Sequence, residues 1–189
     1  MGVEPFTHRT PEAVFGRRFS VGDLDDTLRA DLRSTQTFIP LDITQLRMSG
    51  HLIERVNGDT DPTRRAKFPA GSRFQAAFPP VPWPPDLNAG ANVVVHLLVQ
   101  CDSATDDCDI DVLAFENNTG TYAADTECGG KTAALTSTDV TEVTVTLAAA
   151  DITGHPGWLT LVLYPDSHTT DNIYLYAGWL EYTRSLRTS

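Results

Sequence analysis

Basic residues all but vanish from the second part of this chain. Beyond Arg73 the cations are Lys131, Arg184 and Arg187, against fifteen Asp and Glu; the first 73 residues hold eleven Lys/Arg and ten Asp/Glu. The formal charge of −11 therefore belongs to the later stretch, which carries −12. A surface of that sign repels phosphate backbones and anionic lipid, so nucleic-acid and membrane binding by this part are disfavoured. No apolar run approaches the roughly 18 residues of a membrane span. The opening Met1-Gly2-Val3-Glu4-Pro5-Phe6 lacks the basic-then-apolar order of a secretory signal. The expectation is a soluble protein made in a cytoplasm.

Cysteine is also scarce. Cys101, Cys108 and Cys128 are an odd number, so at least one thiol stays free. There is no Cys-x-x-Cys pair and no His between Cys101 and Cys128, which argues against structural zinc. Cys101 and Cys108 flank a polar loop and form a possible disulfide, one that closes only outside a reducing compartment.

Catalytic patterns are missing as well. The histidines His8, His51, His96, His155 and His168 are scattered, and neither a Gly-x-Ser-x-Gly elbow nor a His-x-x-x-His pair occurs. No catalytic residue, metal ligand or cofactor is assigned, and the expectation is a non-enzyme. The richest oxygen cluster is Asp102, Asp106, Asp107, Asp109 and Asp111, hard ligands of the type calcium takes. It lacks the Gly and terminal Glu of an EF-hand loop, and Asp109 and Asp111 alternate with Ile110 and Val112 as the solvent face of a strand would. A solvated loop is the simpler reading.

What the chain does contain is strands. Glu142-Val143-Thr144-Val145-Thr146-Leu147 alternates polar and apolar, as a half-buried strand requires. Val93 to Val99 is apolar on both faces, and Ile110 to Glu116, Trp158 to Tyr164 and Ile173 to Tyr182 extend the series. Phe78 to Leu87 carries five prolines and is neither a helix nor a central strand, so it reads as a stiff surface crossover between sheets. Ala148 to Ile152 suits one helical turn, and Asn57-Gly58 is a hairpin signal. Short strands split by Gly, Pro and Asp loops predict an all-β fold, an antiparallel β-sandwich of jelly-roll type over residues 35–189.

Residues 1–34 read differently, as an extended, partly helical N-terminal arm. Thr10-Pro11 suits a helix start, and Leu24, Leu28 and Leu32 form a stripe at spacing four after the capping Asp23. A single leucine stripe with Phe15 and Phe19 nearby cannot build its own core and must lie on something else. In the last strand, strict alternation puts Tyr174, Tyr176 and Tyr182 on one face and Ile173, Leu175, Ala177 and Trp179 on the other. The tyrosine face is either a subunit interface or a ligand face that stacks on sugars.

Several stretches carry a resemblance. They are Glu54 to Asp61, the proline-rich Phe78 to Asp86, Ala91 to Val99, Val143 to Ile152 followed by His155-Pro156-Gly157-Trp158-Leu159, and Asp171 to Thr183. In these the chain resembles a type of small virion protein of tailed bacteriophages. The resemblance implies a structural protein on the outer capsid surface of the virion: a decoration (cement) protein that binds the major capsid protein, expected as a homotrimer. In that setting Phe15, Arg17, Arg18, Phe19, Leu24, Leu28 and Leu32 of the arm form the assembly interface. The alternative implied is a receptor- or glycan-binding module of a head or tail fibre. No active site is carried over, because the matching motifs contain none.

Overall fold

The computed structural model describes residues 36–48, 52–55, 63–72, 75–103, 108–118, 126–135, 138–152 and 154–185. The arm of residues 1–34, with Phe15, Arg17, Arg18, Phe19, Leu24, Leu28 and Leu32, lies outside them. So do Asn57-Gly58 and residues 104–107 of the acidic loop.

The strands in chain order are β1 (Gln36–Leu41), β2 (Arg47–Met48), β3 (Leu52–Arg55), β4 (Arg64–Phe68), β5 (Ala76–Ala77) and β6 (Val81–Pro82). They continue with β7 (Val93–Cys101), β8 (Cys108–Asn118), β9 (Thr126–Leu135), β10 (Thr141–Leu147), β11 (Gly157–Asp166) and β12 (Ile173–Thr183). One sheet runs β10-β7-β12-β4-β3, with β1 also on β12; the other runs β2-β5-β11-β8-β9, with β6 also on β11. All the pairings are antiparallel. From β7 onward the chain passes back and forth between the sheets, pausing only at the β8–β9 pair, which gives an antiparallel sandwich of jelly-roll type. Among the described residues no helix is long and apolar enough to cross a membrane.

The alternation read for β10 builds the core, and it holds in β7 too, where Val94, His96 and Leu98 are only half-buried although the run reads as apolar on both faces. Val93, Val95, Leu97 and Val99 of β7 and Val143, Val145 and Leu147 of β10 point inward from one sheet. Ile110, Val112 and Ala114 of β8 and Leu159, Leu161 and Leu163 of β11 meet them from the other. Each of these larger side chains contributes roughly 1.5–3 kcal/mol by leaving water. The expected helical turn is present as a 3-10 turn at Ala149–Asp151. Asp109 and Asp111 are half-buried between fully buried Ile110 and Val112, as strand alternation requires.

The proline-rich crossover is less superficial than expected. Phe78 and Trp83 are buried, and Val81–Pro82 pairs with β11 at Leu159 and Trp158. Pro82 is tolerated because this two-residue strand sits at an edge. Trp83 Nε1 donates to buried Glu116 Oε1 at 2.7 Å, and Gly154 N donates to the same oxygen at 3.0 Å. One inward carboxylate thus ties the crossover to the turn before β11. Gly157, the first residue of β11, is required by contact: a Cβ there would lie 2.8 Å from the carbonyl oxygens of Asn117 and Gly154.

At one end of the sandwich Cys101, the last residue of β7, is joined to Cys108, the first of β8, with Cα atoms 6.9 Å apart. Because β7 and β8 belong to different sheets, the bond fastens the two layers. Both cysteines are fully buried.

Candidate functional site

The outer face of the β10-β7-β12 sheet gathers side chains that a plain structural surface does not need. In register across it, Thr144 of β10 faces His96 of β7, His96 faces Trp179 of β12, and Trp179 faces Pro40 of β1. The His96 and Trp179 rings stack in parallel, 4.9 Å between centroids with 7° between planes. Phe38, paired with Glu181 one row away, is 57% exposed, the most exposed large apolar side chain among the described residues. His96 Nδ1 lies 2.5 Å from Glu142 Oε1 and its Nε2 3.3 Å from Glu181 Oε2.

The far end of the same face is built around Tyr174. The Arg65 guanidinium sits 3.7 Å above the Tyr174 ring, close enough for a cation–π contact. Arg65 also pairs with Glu54 at 2.7 Å, and its Nη1 donates to the Tyr176 hydroxyl at 3.1 Å. That hydroxyl in turn donates to Gln100 Oε1 at 2.5 Å. The Tyr174 hydroxyl reaches Asp102 at 3.3 Å, and Asp102 is itself held by the Asn172 backbone N–H at 2.7 Å. Burial, then the Asp102 charge, pushes the Tyr174 phenol above its ordinary value, against the opposing effect of Arg65. Burial works against the Arg65 charge, but its bonds to Tyr176 and Glu54 more than offset this and hold the guanidinium above its ordinary value. From Trp179 to Tyr174 is five residues of β12, or roughly 15 Å at the rise of a strand.

The tyrosine face expected from strict alternation is corrected in one respect. The pairing of β12 with β7 shifts register between Leu175 and Ala177, so Tyr176 is an extra residue in the ladder. A one-residue slip exchanges the two faces of everything beyond it. Tyr174 and Tyr176 are therefore outward, and Trp179 joins them. Tyr182 instead points inward: it is buried in the core, and its hydroxyl donates to Asp86 at 3.2 Å. Burial and then the Asp86 charge raise its phenol above the ordinary value. The reading from sequence thus missed Trp179, and with it His96, Glu142, Glu181, Phe38 and Arg65. Gly178 in the middle of an 11-residue strand was the available signal, since interior strand glycines mark bulges and close approaches. A Cβ at Gly178 would come within 3.0 Å of Leu97 Cδ2.

Elsewhere the polar groups serve as staples. His168 is buried, with Nε2 2.6 Å from the Ser72 carbonyl and Nδ1 3.2 Å from the Asp171 carbonyl. Both ring nitrogens are thus engaged by backbone, which leaves no base for a hydroxyl in the adjoining cavity of about 410 Å³ lined by Ser72, Ser167 and Thr169. A second cavity of about 380 Å³ lies beside Gln75, Asp111 and Tyr164, also away from the aromatic face. Cys101, Cys108 and Asp171 come within 4.8 Å of one another, but the sulfurs are bonded to each other.

No protein-family model matches the chain, and no curated protein matches it. Solved structures do. The xylan-binding module CBM15 superposes with a TM-score of 0.50 at 13% identity, covering 80% of this chain and all of that one. The carbohydrate-binding module CBM6cm-2 of Cellvibrio mixtus lichenase 5A, solved with cellotriose, gives 0.47 at 11% identity, covering 77% and 98%. The CBM36-1 domain of a xylanase from the hindgut metagenome of Trinervitermes trinervoides gives 0.47 at 7%, covering 77% and 96%. At 13% identity the likeness to CBM15 is one of fold alone, and it agrees with the antiparallel sandwich described above. The virion setting implied by the sequence resemblance has no counterpart among these three.

Proposed function

We propose that this chain is a carbohydrate-binding module whose ligand lies along the outer face of the β10-β7-β12 sheet. The observation that carries the reading is the pairing of the Trp179 ring, half-exposed beside Phe38 and Pro40, with charged side chains in the neighbouring rows. Sugars present apolar C–H faces that stack on aromatic rings, and hydroxyls that need donors and acceptors at their edges. Trp179 and Phe38 supply the first; Glu142 and Glu181 supply the second. The face is an open sheet surface, the shape suited to a chain that passes along it. The shared fold with a module named for xylan binding supports the same reading.

The test is a binding screen of the full chain against soluble and insoluble polysaccharides, by affinity electrophoresis and calorimetry. The expected result is retention on at least one glycan, abolished by Trp179→Ala and kept by Tyr182→Phe. Retention unchanged by Trp179→Ala moves the site off this face.

The virion reading makes a different demand. Capsid decoration would work through the arm, whereas a fibre module would use the sandwich face. Phage particles stripped of this protein that lose resistance to heat and osmotic shock, together with a chain that binds no glycan, would favour decoration. Glycan binding by the chain with particle resistance unchanged would favour the module.

A further inference from the structure

We propose that the face around Trp179 selects its carbohydrate by charge, admitting chains of neutral or amino sugars and turning away chains that carry carboxylate or sulfate groups. The inference rests on the reading of this face as the ligand site, and deepens it by naming the class of sugar the site takes.

The selection follows from what stands in three successive rows of the sheet. The middle row holds Thr144, His96, Trp179 and Pro40. The row on one side holds Glu142, Leu98 and Ala177, and the row on the other holds Thr146, Val94, Glu181 and Phe38. A sugar chain that lies on Trp179 and runs along the strands therefore meets one carboxylate before the indole and one after it. These rows hold no Lys, Arg, Asn or Gln to set against the carboxylates. His96 lies between them, 2.5 Å from Glu142 and 3.3 Å from Glu181, and contributes at most one positive charge against two negative ones. One oxygen of each carboxylate makes that approach, and the Glu142 side chain is 46% exposed, so an acceptor oxygen is left for a ligand. An ionised carboxylate only accepts hydrogen bonds. Sugar hydroxyls and ammonium groups can donate to it, whereas a uronate or sulfate group is itself an acceptor and brings a like charge into contact. The outward cations of β4 do not reverse this. Arg65 is paired with Glu54 at 2.7 Å, and Lys67 lies 5.9 Å from the Tyr174 ring. Tyr174 stands roughly 15 Å along β12 from Trp179, beyond the roughly 8 Å over which exposed charges act in physiological salt.

The probes are hydroxyethyl, carboxymethyl and aminoethyl derivatives of cellulose and of xylan at one degree of substitution, so that side groups of similar size differ in charge. Retention of the full chain is measured by affinity electrophoresis and calorimetry. On a backbone that is bound, the carboxymethyl form should be held roughly tenfold more weakly than the hydroxyethyl form, the scale of two like-charge contacts at a surface. The aminoethyl form should be held at least as tightly as the hydroxyethyl form, and Trp179→Ala should abolish retention of the latter. Glu142→Gln with Glu181→Gln should bring both charged forms to within about twofold of the neutral one. Asp109→Asn with Asp166→Asn removes the same two charges from a cross-strand pair on the other sheet and should leave the differences as they are. Glu142→Gln alone, at a well-exposed position, covers the case in which the double glutamate variant fails to fold, and should close part of the gap. Equal retention of the three forms, an aminoethyl form held more weakly than the hydroxyethyl one, or a gap closed equally by the aspartate substitutions overturns selection by charge at this face. In each of those cases the ligand site still stands if Trp179→Ala abolishes retention. A chain that holds none of the polymers removes the ligand site, and the selection falls with it.

Discussion

The two ends of the candidate face use the same kind of residue for opposite purposes. At one end Trp179 is half-buried, stacked on His96, with exposed Phe38 and Pro40 on the adjoining strand. At the other, Tyr174 is outward by register yet only 6% exposed, because Arg65 lies across its ring. The difference comes from the neighbouring strand. At Trp179 the neighbour is β1, which contributes a proline and a phenylalanine with no long side chain to fold over the indole. At Tyr174 it is β4, which contributes Arg65 and Lys67, the latter 5.9 Å from the ring. An aromatic on the outer face is thus not a ligand platform by position alone; what its cross-strand partner does with the ring decides. On the proposed reading Trp179 is left free to meet a ligand, whereas Tyr174 holds the sheet.

The sharpest way to break this contrast is to truncate each ring. Trp179→Ala should cost about 30-fold or more in affinity, the size of a central aromatic anchor at roughly 2 kcal/mol, with a small change in melting temperature. Tyr174→Ala should do the reverse. Loss of a buried aromatic costs about 3 kcal/mol, or roughly 6–12 °C in a chain of this size, while affinity stays within a few-fold. Calorimetric titration and thermal melts on both variants check it; equal effects of the two substitutions on affinity would erase the distinction. The next effect in size concerns the anchor behind Tyr174. Asp102, its hydrogen-bond partner, directly follows Cys101, so the bond between Cys101 and Cys108 restrains one end of the face and not the other. Closing so short a loop stabilises by about 2–3 kcal/mol in the chain-entropy view. Cys101→Ser with Cys108→Ser should lower the melting temperature accordingly. Affinity changes should be slight, since Trp179 lies far along β12.

How much of this was legible beforehand follows from where alternation holds. In β7, β10 and β11 every second residue is buried, so the strands and the sandwich could be read directly from Val93 to Val99, Glu142 to Leu147 and Trp158 to Tyr164, and the inward face from Glu142 to Leu147. Strand β9 was missed, because Thr126-Glu127-Cys128-Gly129-Gly130 shows no alternation and carries two adjacent glycines; its place is set by pairing with β8. Strand β12 was found but half misread, since a single extra residue at Tyr176 reverses the parity on which the face assignment depended. That bulge is a tertiary fact: it exists to reconcile β12 with β7, and nothing within the strand but Gly178 hints at it. Likewise His96 is an ordinary strand histidine until β10 and β12 bring Glu142 and Glu181 to its two nitrogens from 46 and 85 positions away.

The smallest expected effect separates the inward tyrosine from the outward ones. Tyr182 and Tyr174 both have phenols held above the ordinary value of 10.0, by burial first and a carboxylate second. A raised folded-state value means that folding favours the protonated phenol. The stability it contributes is whole below pH 10, where the unfolded phenol begins to ionise, and is lost as pH climbs through the higher folded value. Melting temperature should therefore decline above pH 10. Tyr182→Phe should remove part of that decline at a cost of about 1 kcal/mol near neutrality, from the lost hydrogen bond to Asp86. Because Tyr182 faces the core, the same variant should leave carbohydrate affinity unchanged at every pH. An affinity that falls with Tyr182→Phe would mean that β12 keeps strict alternation after all and that Tyr182, not Trp179, shares the face with Tyr174.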